Sequence, residues 1–223
     1  MKEMSISDRA QWLKIRRAKI GASDASAILG INPWKTNIDL YREKAGITKP
    51  EDISQKPQII YGNKAEAPIR ELFALEYSDK YSVFYKPFDM IVSAERDWQV
   101  ATLDGRLHDN QTGATGVLEI KTSRIQSGAM RDSWQDGIPQ YYFSQIVHQL
   151  SVTGFTFAVV RARLIFPCFG DKTDMFDRVE ERTYYFDAQD LQGDIDFLNQ
   201  KEEEFYLEYL QKGTEPPMKL AEI

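Results

Sequence analysis

Apolar residues recur along this chain in two rhythms. A spacing of three and four places Trp12 and Ile15 on one side of a helix that starts near Ser5, Ser7 and Asp8 and ends on Arg16, Arg17 and Lys19. After a break at Gly21 the run DASAILG predicts a second helix, with Ser23 as its cap and Gly30 closing it. Asn32-Pro33-Trp34 reads as a turn, and Asn37 to Ala45 as a helix ended by Gly46. Residues 49–57 are polar, carry a proline near each end, and read as a mobile loop. The run KAEAPIRELFALEY, from Lys64, predicts a helix in which Pro68 is tolerable only in the first turn. Its buried side should be Ile69, Leu72, Phe73 and Leu75 or Glu76.

The period of two takes over at Tyr81 to Tyr85, Phe88 to Val92, Trp98 to Leu103 and Gly116 to Lys121. These runs predict a small antiparallel or mixed sheet. Ile138 to Val152 returns to helical spacing, aligning Tyr142, Gln145 and Gln149 on one face. Phe155 to Phe166 is apolar and β-branched enough for a buried strand, and Thr183 to Asp187 resembles an edge strand. A last helix over residues 191–212 carries a stripe of Ile195, Leu198, Phe205 and Tyr209, with Glu202, Glu203 and Glu204 on an acidic back. The mixture is α/β (α+β). No repeat or linker divides it, so residues 1–223 are expected to form one domain.

Composition narrows the chemistry. With 223 residues, 42% hydrophobic and 12% aromatic, the chain can build a substantial core. No run approaches a membrane span and residues 1–23 are polar, so neither a membrane segment nor a signal peptide is expected. Cys168 stands alone, which excludes an internal disulfide, a four-cysteine iron–sulfur cluster and a Cys-rich zinc site, and points to a reducing compartment. His108 and His148 are the only histidines. The net charge of −6 leaves nucleic acid open, because basic groups can gather on one surface of an acidic chain.

The candidate chemistry sits between residues 103 and 121. Asp104 precedes Glu119 by fifteen positions, and in Glu119-Ile120-Lys121 a strand puts carboxylate and ammonium on one face and Ile120 on the other. Two carboxylates and the Ile120 carbonyl can offer hard oxygen ligands to Mg²⁺ or Mn²⁺, and Lys121 can help deprotonate water or stabilise charge on phosphorus. The competing reading is an Asp-Gly hairpin beside a solvated strand face. Glu66, near a helix start, is by itself a dipole-favoured glutamate. A helix N-terminus with the Ser23 hydroxyl, just after Arg16, can cradle a phosphate, or can be an ordinary capped helix.

The ordered runs IGASDASAILGINPWKTNIDLYREKAG, YGNKAEAPIRELFALE, ATLDGRL, VLEIKTS and YYFSQIVHQLSVTG resemble the YqaJ-type viral recombinases, the family of the bacteriophage lambda exonuclease, over about residues 10 to 155. The resemblance implies a PD-(D/E)xK, restriction-endonuclease-like core with a central mixed sheet flanked by helices. It implies two Mg²⁺ (or Mn²⁺) ions per active site, with Asp104, Glu119, the Ile120 carbonyl and Glu66 as ligands. Lys121 would be the catalytic lysine, Gln145 the glutamine of the helix motif, and Arg16 and Ser23 the binders of a terminal 5′-phosphate. The commoner QVQHQL reads QIVHQL here, with Val147 in place of a glutamine, which leaves open whether Gln145 or Gln149 reaches the site.

The activity implied is 5′-to-3′ digestion of one strand of linear double-stranded DNA to mononucleotides, leaving a 3′ single-stranded tail for phage-type recombination. A homotrimeric ring around the DNA, a single-strand annealing protein as partner, and a phage or prophage origin in a bacterial cytoplasm come with the same resemblance. Two other readings remain: a structure-selective or restriction-type endonuclease on the same core, and a catalytically idle DNA-end-binding module.

Overall fold

Short extended runs and capped helices alternate from the first residues. The computed structural model describes residues 1–4, 6, 8–167 and 177–219. Strand β1 (Lys2–Met4) leads to α1 (Arg9–Ala18), which Asp8 caps by accepting the Gln11 N–H at 2.9 Å. Ser5, Ser7 and Cys168 lie outside the described residues. β2 (Ile20–Gly21) enters a tight turn over residues 22–24 and then α2 (Ala25–Leu29), which Gly30 ends at φ +80°. Ser23 does not cap this helix. The Asp24 carboxylate reaches back to accept the Gly21 N–H at 2.9 Å, and the serine hydroxyl is left for Arg16. α3 (Asn37–Lys44) starts on a reciprocal Thr36–Asp39 cap, as the turn-then-helix reading expects.

α4 (Pro57–Glu76) begins at Pro57, seven residues before the expected start at Lys64. Proline fits the first helical position, where its missing N–H costs nothing. Pro68 therefore sits in the helix interior, a placement that typically costs about 3 kcal/mol. Lys64 and Pro68 are exposed, so the carbonyl deprived of its partner faces water. Ile69 and Phe73 are buried as expected, but Leu72 and Leu75 point to solvent.

The remaining elements are β3 (Tyr81–Phe84), β4 (Met90–Val92), β5 (Gln99–Ala101), β6 (Gly105–Asp109), β7 (Thr115–Arg124), α5 (Gly128–Asp132), α6 (Gln140–Thr153), β8 (Phe157–Phe166), β9 (Arg178–Asp187) and α7 (Gln192–Glu204). Beyond α7 the chain continues as a wider π-helical turn through Gln211. The strands do not join one sheet: β1-β4-β5-β2 form a four-stranded sheet, and β3-β6-β7-β8-β9 a five-stranded one. β6 is absent from the expected strands, because Asp-Gly followed by Arg106 and His108 reads as a polar turn. β7 and β8 run parallel, with α5 and α6 in the crossover, while β9 is the antiparallel edge foreseen at Thr183 to Asp187.

Both faces of the central sheet are covered, which explains the near-continuous apolar runs of β7 and β8. Leu118, Ile120, Phe157 and Val159 pack with Ile69 and Phe73 of α4. Val117, Ala158, Val160, Ala162 and Leu164 pack on the other side with Ile146, Val147 and Leu150 of α6. Gly62 lets α4 lie close to β7: a Cβ there would stand 3.3 Å from Thr122 Oγ1. Between β3 and β4, Phe88 holds φ +57°, a left-handed conformation that costs a bulky residue about 1–3 kcal/mol. No helix among the described residues is long and apolar enough to cross a membrane.

Candidate active site

The alternation of β7 sends Glu119 and Lys121 toward α6 and buries Ile120 against α4. Lys121 Nζ donates to Glu119 Oε1 at 2.6 Å and to Gln145 Oε1 at 2.9 Å, and lies 4.6 Å from the centre of the Tyr142 ring. Gln145 Nε2 donates to Glu119 Oε1 at 2.5 Å, and Gln149 Nε2 to Glu119 Oε2 at 2.7 Å. The question left by the QIVHQL run thus has a two-part answer. One turn apart on α6, the two glutamines take one carboxylate oxygen each. Val147 is buried in the core between them and touches none of this chemistry.

Asp104 occupies the turn into β6, where Gly105 pairs with Leu118. Its Oδ2 accepts the Ile120 N–H at 2.8 Å. Since a strand residue sends N–H and C=O to the same edge, the Ile120 carbonyl also leaves on the Asp104 side. Burial first, and the neighbouring Glu119 carboxylate second, push the Asp104 carboxyl well above the ordinary carboxylate range, while Lys121 and the Ile120 N–H oppose this. Lys121 is raised: burial works against its charge, but Glu119 and Asp104 outweigh it and keep the ammonium.

Glu66 reaches the same end of the sheet from α4 but does not join the pair directly. Arg70 Nη1 donates to Glu66 Oε1 at 2.9 Å and to the Asp104 carbonyl at 2.8 Å, so the arginine stands between them. Neither Arg70 nor Tyr85, whose ring centre lies 3.5 Å from the Arg70 guanidinium, is among the expected site residues. The i, i+4 spacing of Glu66 and Arg70 is the one signal in the chain that pointed there.

Hard oxygen donors in a crowded, buried pair fit a divalent cation, which would relieve the repulsion that raises Asp104. The Gln149 Oε1, buried without a hydrogen-bond partner, is a further oxygen at this spot. Among the described residues, however, no three His, Cys, Asp or Glu side chains converge closely enough to enclose a metal ion. The four-ligand set expected from the resemblance is therefore assembled only as far as Asp104, Glu119 and the Ile120 edge, with Glu66 turned to Arg70.

A second cluster lies beside the first. Arg16 Nη2 donates to Ser23 Oγ at 2.6 Å, and the guanidinium lies 5.0 Å from the Trp12 ring centre. Arg16, Gly21, Ala22, Ser23, Thr102 and Gln145 line one cleft, so the Arg16–Ser23 pair and the glutamine that holds Glu119 share a wall. Lys44 Nζ, 2.6 Å from Asp24 Oδ2, fixes the turn beneath it. Burial disfavours the Asp24 charge, but Lys44 and Arg16 outweigh that and lower its pKa.

Next to Gln149 on α6, His148 enters a network that the acidic-back reading of Glu202 missed. His148 and Glu202 are fully buried, with Nδ1 2.7 Å from Glu202 Oε1 and Nε2 3.0 Å from the Val100 carbonyl. Gln99 Nε2 donates to Glu202 Oε2 at 2.7 Å and to Asn199 Oδ1 at 3.0 Å. Glu202 belongs to the interior because α7 packs this side on α6 and β5, where a carboxylate needs partners.

The fold and this site can be set beside known proteins. An alkaline exonuclease (LHK-Exo) from Laribacter hongkongensis superposes with a TM-score of 0.57 at 18% identity, covering 92% of this chain and 97% of that one. A phage related exonuclease from Haemophilus somnus 129PT gives 0.53 at 11% identity, covering 88% and 96%. These likenesses establish a shared PD-(D/E)xK-type fold. In sequence, an uncharacterized protein YqaJ of Bacillus subtilis (strain 168) is 32% identical over 147 residues, 66% of this chain but 43% of that protein's length. The family model described as YqaJ-like viral recombinase domain matches residues 11–156, which hold every candidate site residue, and the chain belongs to that family.

Proposed function

We propose that this protein is a metal-dependent exonuclease that degrades one strand of linear double-stranded DNA from its 5′ end, releasing mononucleotides and leaving a 3′ single-stranded tail. The observation that carries the proposal is the shared cleft: the Arg16–Ser23 pair opens beside Gln145, which itself grips Glu119 and Lys121. A phosphate binder a short reach from a hydrolytic pair suits an enzyme that starts at a phosphorylated end. The names of the two exonucleases sharing the fold agree with this reading.

Asp104, Glu119 and the Ile120 carbonyl, with Glu66 once released from Arg70, would hold Mg²⁺ or Mn²⁺, two ions per site, supplying charge neutralisation at the scissile phosphate and activation of water. The side chains do the rest. Gln145 and Gln149 fix the Glu119 carboxylate in one orientation. Lys121, which donates to Glu119 and Gln145, stabilises the charge that builds on phosphorus or helps deprotonate the attacking water. Arg16 makes a charge-assisted contact to the 5′-phosphate. A homotrimeric ring around DNA and a single-strand annealing partner belong to the same proposal by analogy with the family, as does work inside a bacterial host.

The test is a Mg²⁺-dependent digestion of three substrates: linear duplex with a 5′-phosphate at one end, the same duplex with 5′-hydroxyl ends, and a covalently closed circle. Loss of the phosphorylated strand as mononucleotides, with the circle intact, is expected. Cutting of the circle would replace the proposal with an endonuclease on the same core, and binding of ends without release of nucleotides would replace it with an end-binding module.

A further inference from the structure

The end of β3 and the loop after it carry three aromatic side chains in five residues, and all of them face water. Phe84, Tyr85 and Phe88 are 58%, 46% and 37% exposed, whereas Phe73, Tyr81 and Phe157 nearby are buried. One exposed ring is ordinary, but three neighbouring ones beside a candidate active site are not. Phe88 also keeps its ring outside while its backbone is strained at φ +57°, a position where glycine would relax the turn. Strain of this kind collects at functional sites.

Geometry ties the loop to the catalytic end of the sheet. Phe84 pairs with Arg106 across β3 and β6, two residues after Asp104. Tyr85 stacks under the Arg70 guanidinium, which donates to both Glu66 and the Asp104 carbonyl. Phe84, Tyr85, Leu103, Gly105 and Arg106 line one shallow depression. Arg70 covers part of the Tyr85 ring, yet nearly half of the residue remains open, so a flat ligand laid there would continue an existing stack.

We propose that Phe84 and Tyr85 form a stacking platform for an unpaired base of the strand being cut; this rests on the nuclease reading above and specifies how that site holds its substrate. Every base offers a π-face whatever its identity, so such a platform grips the strand without reading sequence. A paired base has both faces taken by its neighbours in the duplex. The platform therefore selects a nucleotide that has already left its partner, and keeps the adjoining phosphate next to Asp104. Lys86, Asp89 and Arg106 also line the depression, so its rim carries charge of both signs and the rings are its apolar part.

The experiment measures binding in EDTA, where nothing is cut, of a duplex whose terminal 5′ nucleotide is a mismatched, unpaired 2-aminopurine, against the same duplex fully paired. Wild-type protein should quench the unpaired 2-aminopurine. Tyr85→Ala and Phe84→Ala should lose the quench and bind the unpaired end about 5- to 150-fold more weakly, with a smaller change for the paired end. Tyr85→Phe should behave as wild type. Equal weakening on both ends, or no change on either, would overturn the platform. So would a changed oligomeric mass in these variants, which would make the aromatics a contact between copies. Failure of the nuclease reading is separate: it appears as absence of Mg²⁺-dependent digestion by the wild type.

Discussion

Helix α6 borders two buried acid–base pairs, and the two differ in kind. In one, Glu119 meets Lys121, Gln145 and Gln149; in the other, Glu202 meets His148 and Gln99. Both carboxylates have both oxygens engaged. Only Glu119 has a second carboxylate pressed on it, and the cost shows as the raised Asp104. The His148 pair has no such crowding: its charges balance and its remaining N–H finds the Val100 carbonyl. Burial and pairing thus describe a scaffold as well as they describe an active site, and like-charge crowding separates the two.

The sharpest way to break that comparison is to alter each acid. Glu119→Gln or Lys121→Ala should lower Mg²⁺-dependent cleavage by about 10²–10³-fold or more in protein that still folds. Cleavage at the wild-type rate by either variant would remove the assigned site. Glu202→Ala should do the reverse, lowering stability by about 3–5 kcal/mol in denaturant titration because His148 is left buried without its partner, with cleavage kept where the protein is folded. If Glu202→Ala loses cleavage and keeps its stability, the division between the two pairs fails.

Smaller effects refine it. Arg16→Ala should reduce the preference for phosphorylated over hydroxyl 5′ ends by about 10–100-fold, read as the ratio of initial rates on the two substrates. A ratio equal to that of wild type would empty the cradle of its role. The smallest effect is a slope with pH. Burial disfavours charge on His148, but Glu202 and the Val100 carbonyl outweigh it and raise its pKa above 6.5. The stabilisation it supplies is complete below that ordinary value and is lost as pH rises through the folded one. Thermal midpoints should therefore fall across that rise for wild type, and the slope should shrink in His148→Gln.

Much of this was legible from residue order, and the failures have physical causes. The face that Glu119 and Lys121 share follows from the period of two, and the joint placement of Gln145 and Gln149 from a spacing of four. Choosing between those glutamines needed the position of two Glu119 oxygens, which no pattern encodes. β6 was hidden because its outward residues are polar and its partner β7 supplies the evidence that it is a strand. β4 and β5 read as strands, but their partners β1 and β2 are distant in sequence, so their separate sheet was invisible. Glu202 looked solvated because three consecutive acids cannot all share one helix face, and sequence alone did not say which would turn inward. Pro57 marked the start of α4, yet Gly62 and Pro68 argued against any helix across them.

Gly62 has a consequence for how such a site can change. A methyl group there would stand 3.3 Å from the Thr122 hydroxyl, a tight contact, so α4 and β7 come close where the helix has no side chain. Glu66 rides on the same helix one turn further on, and Arg70 one turn beyond that. A carbon added there would press on Thr122 from the helix that carries both side chains, without touching either. The separation of the two walls of the site is thus held at a position that carries no functional group.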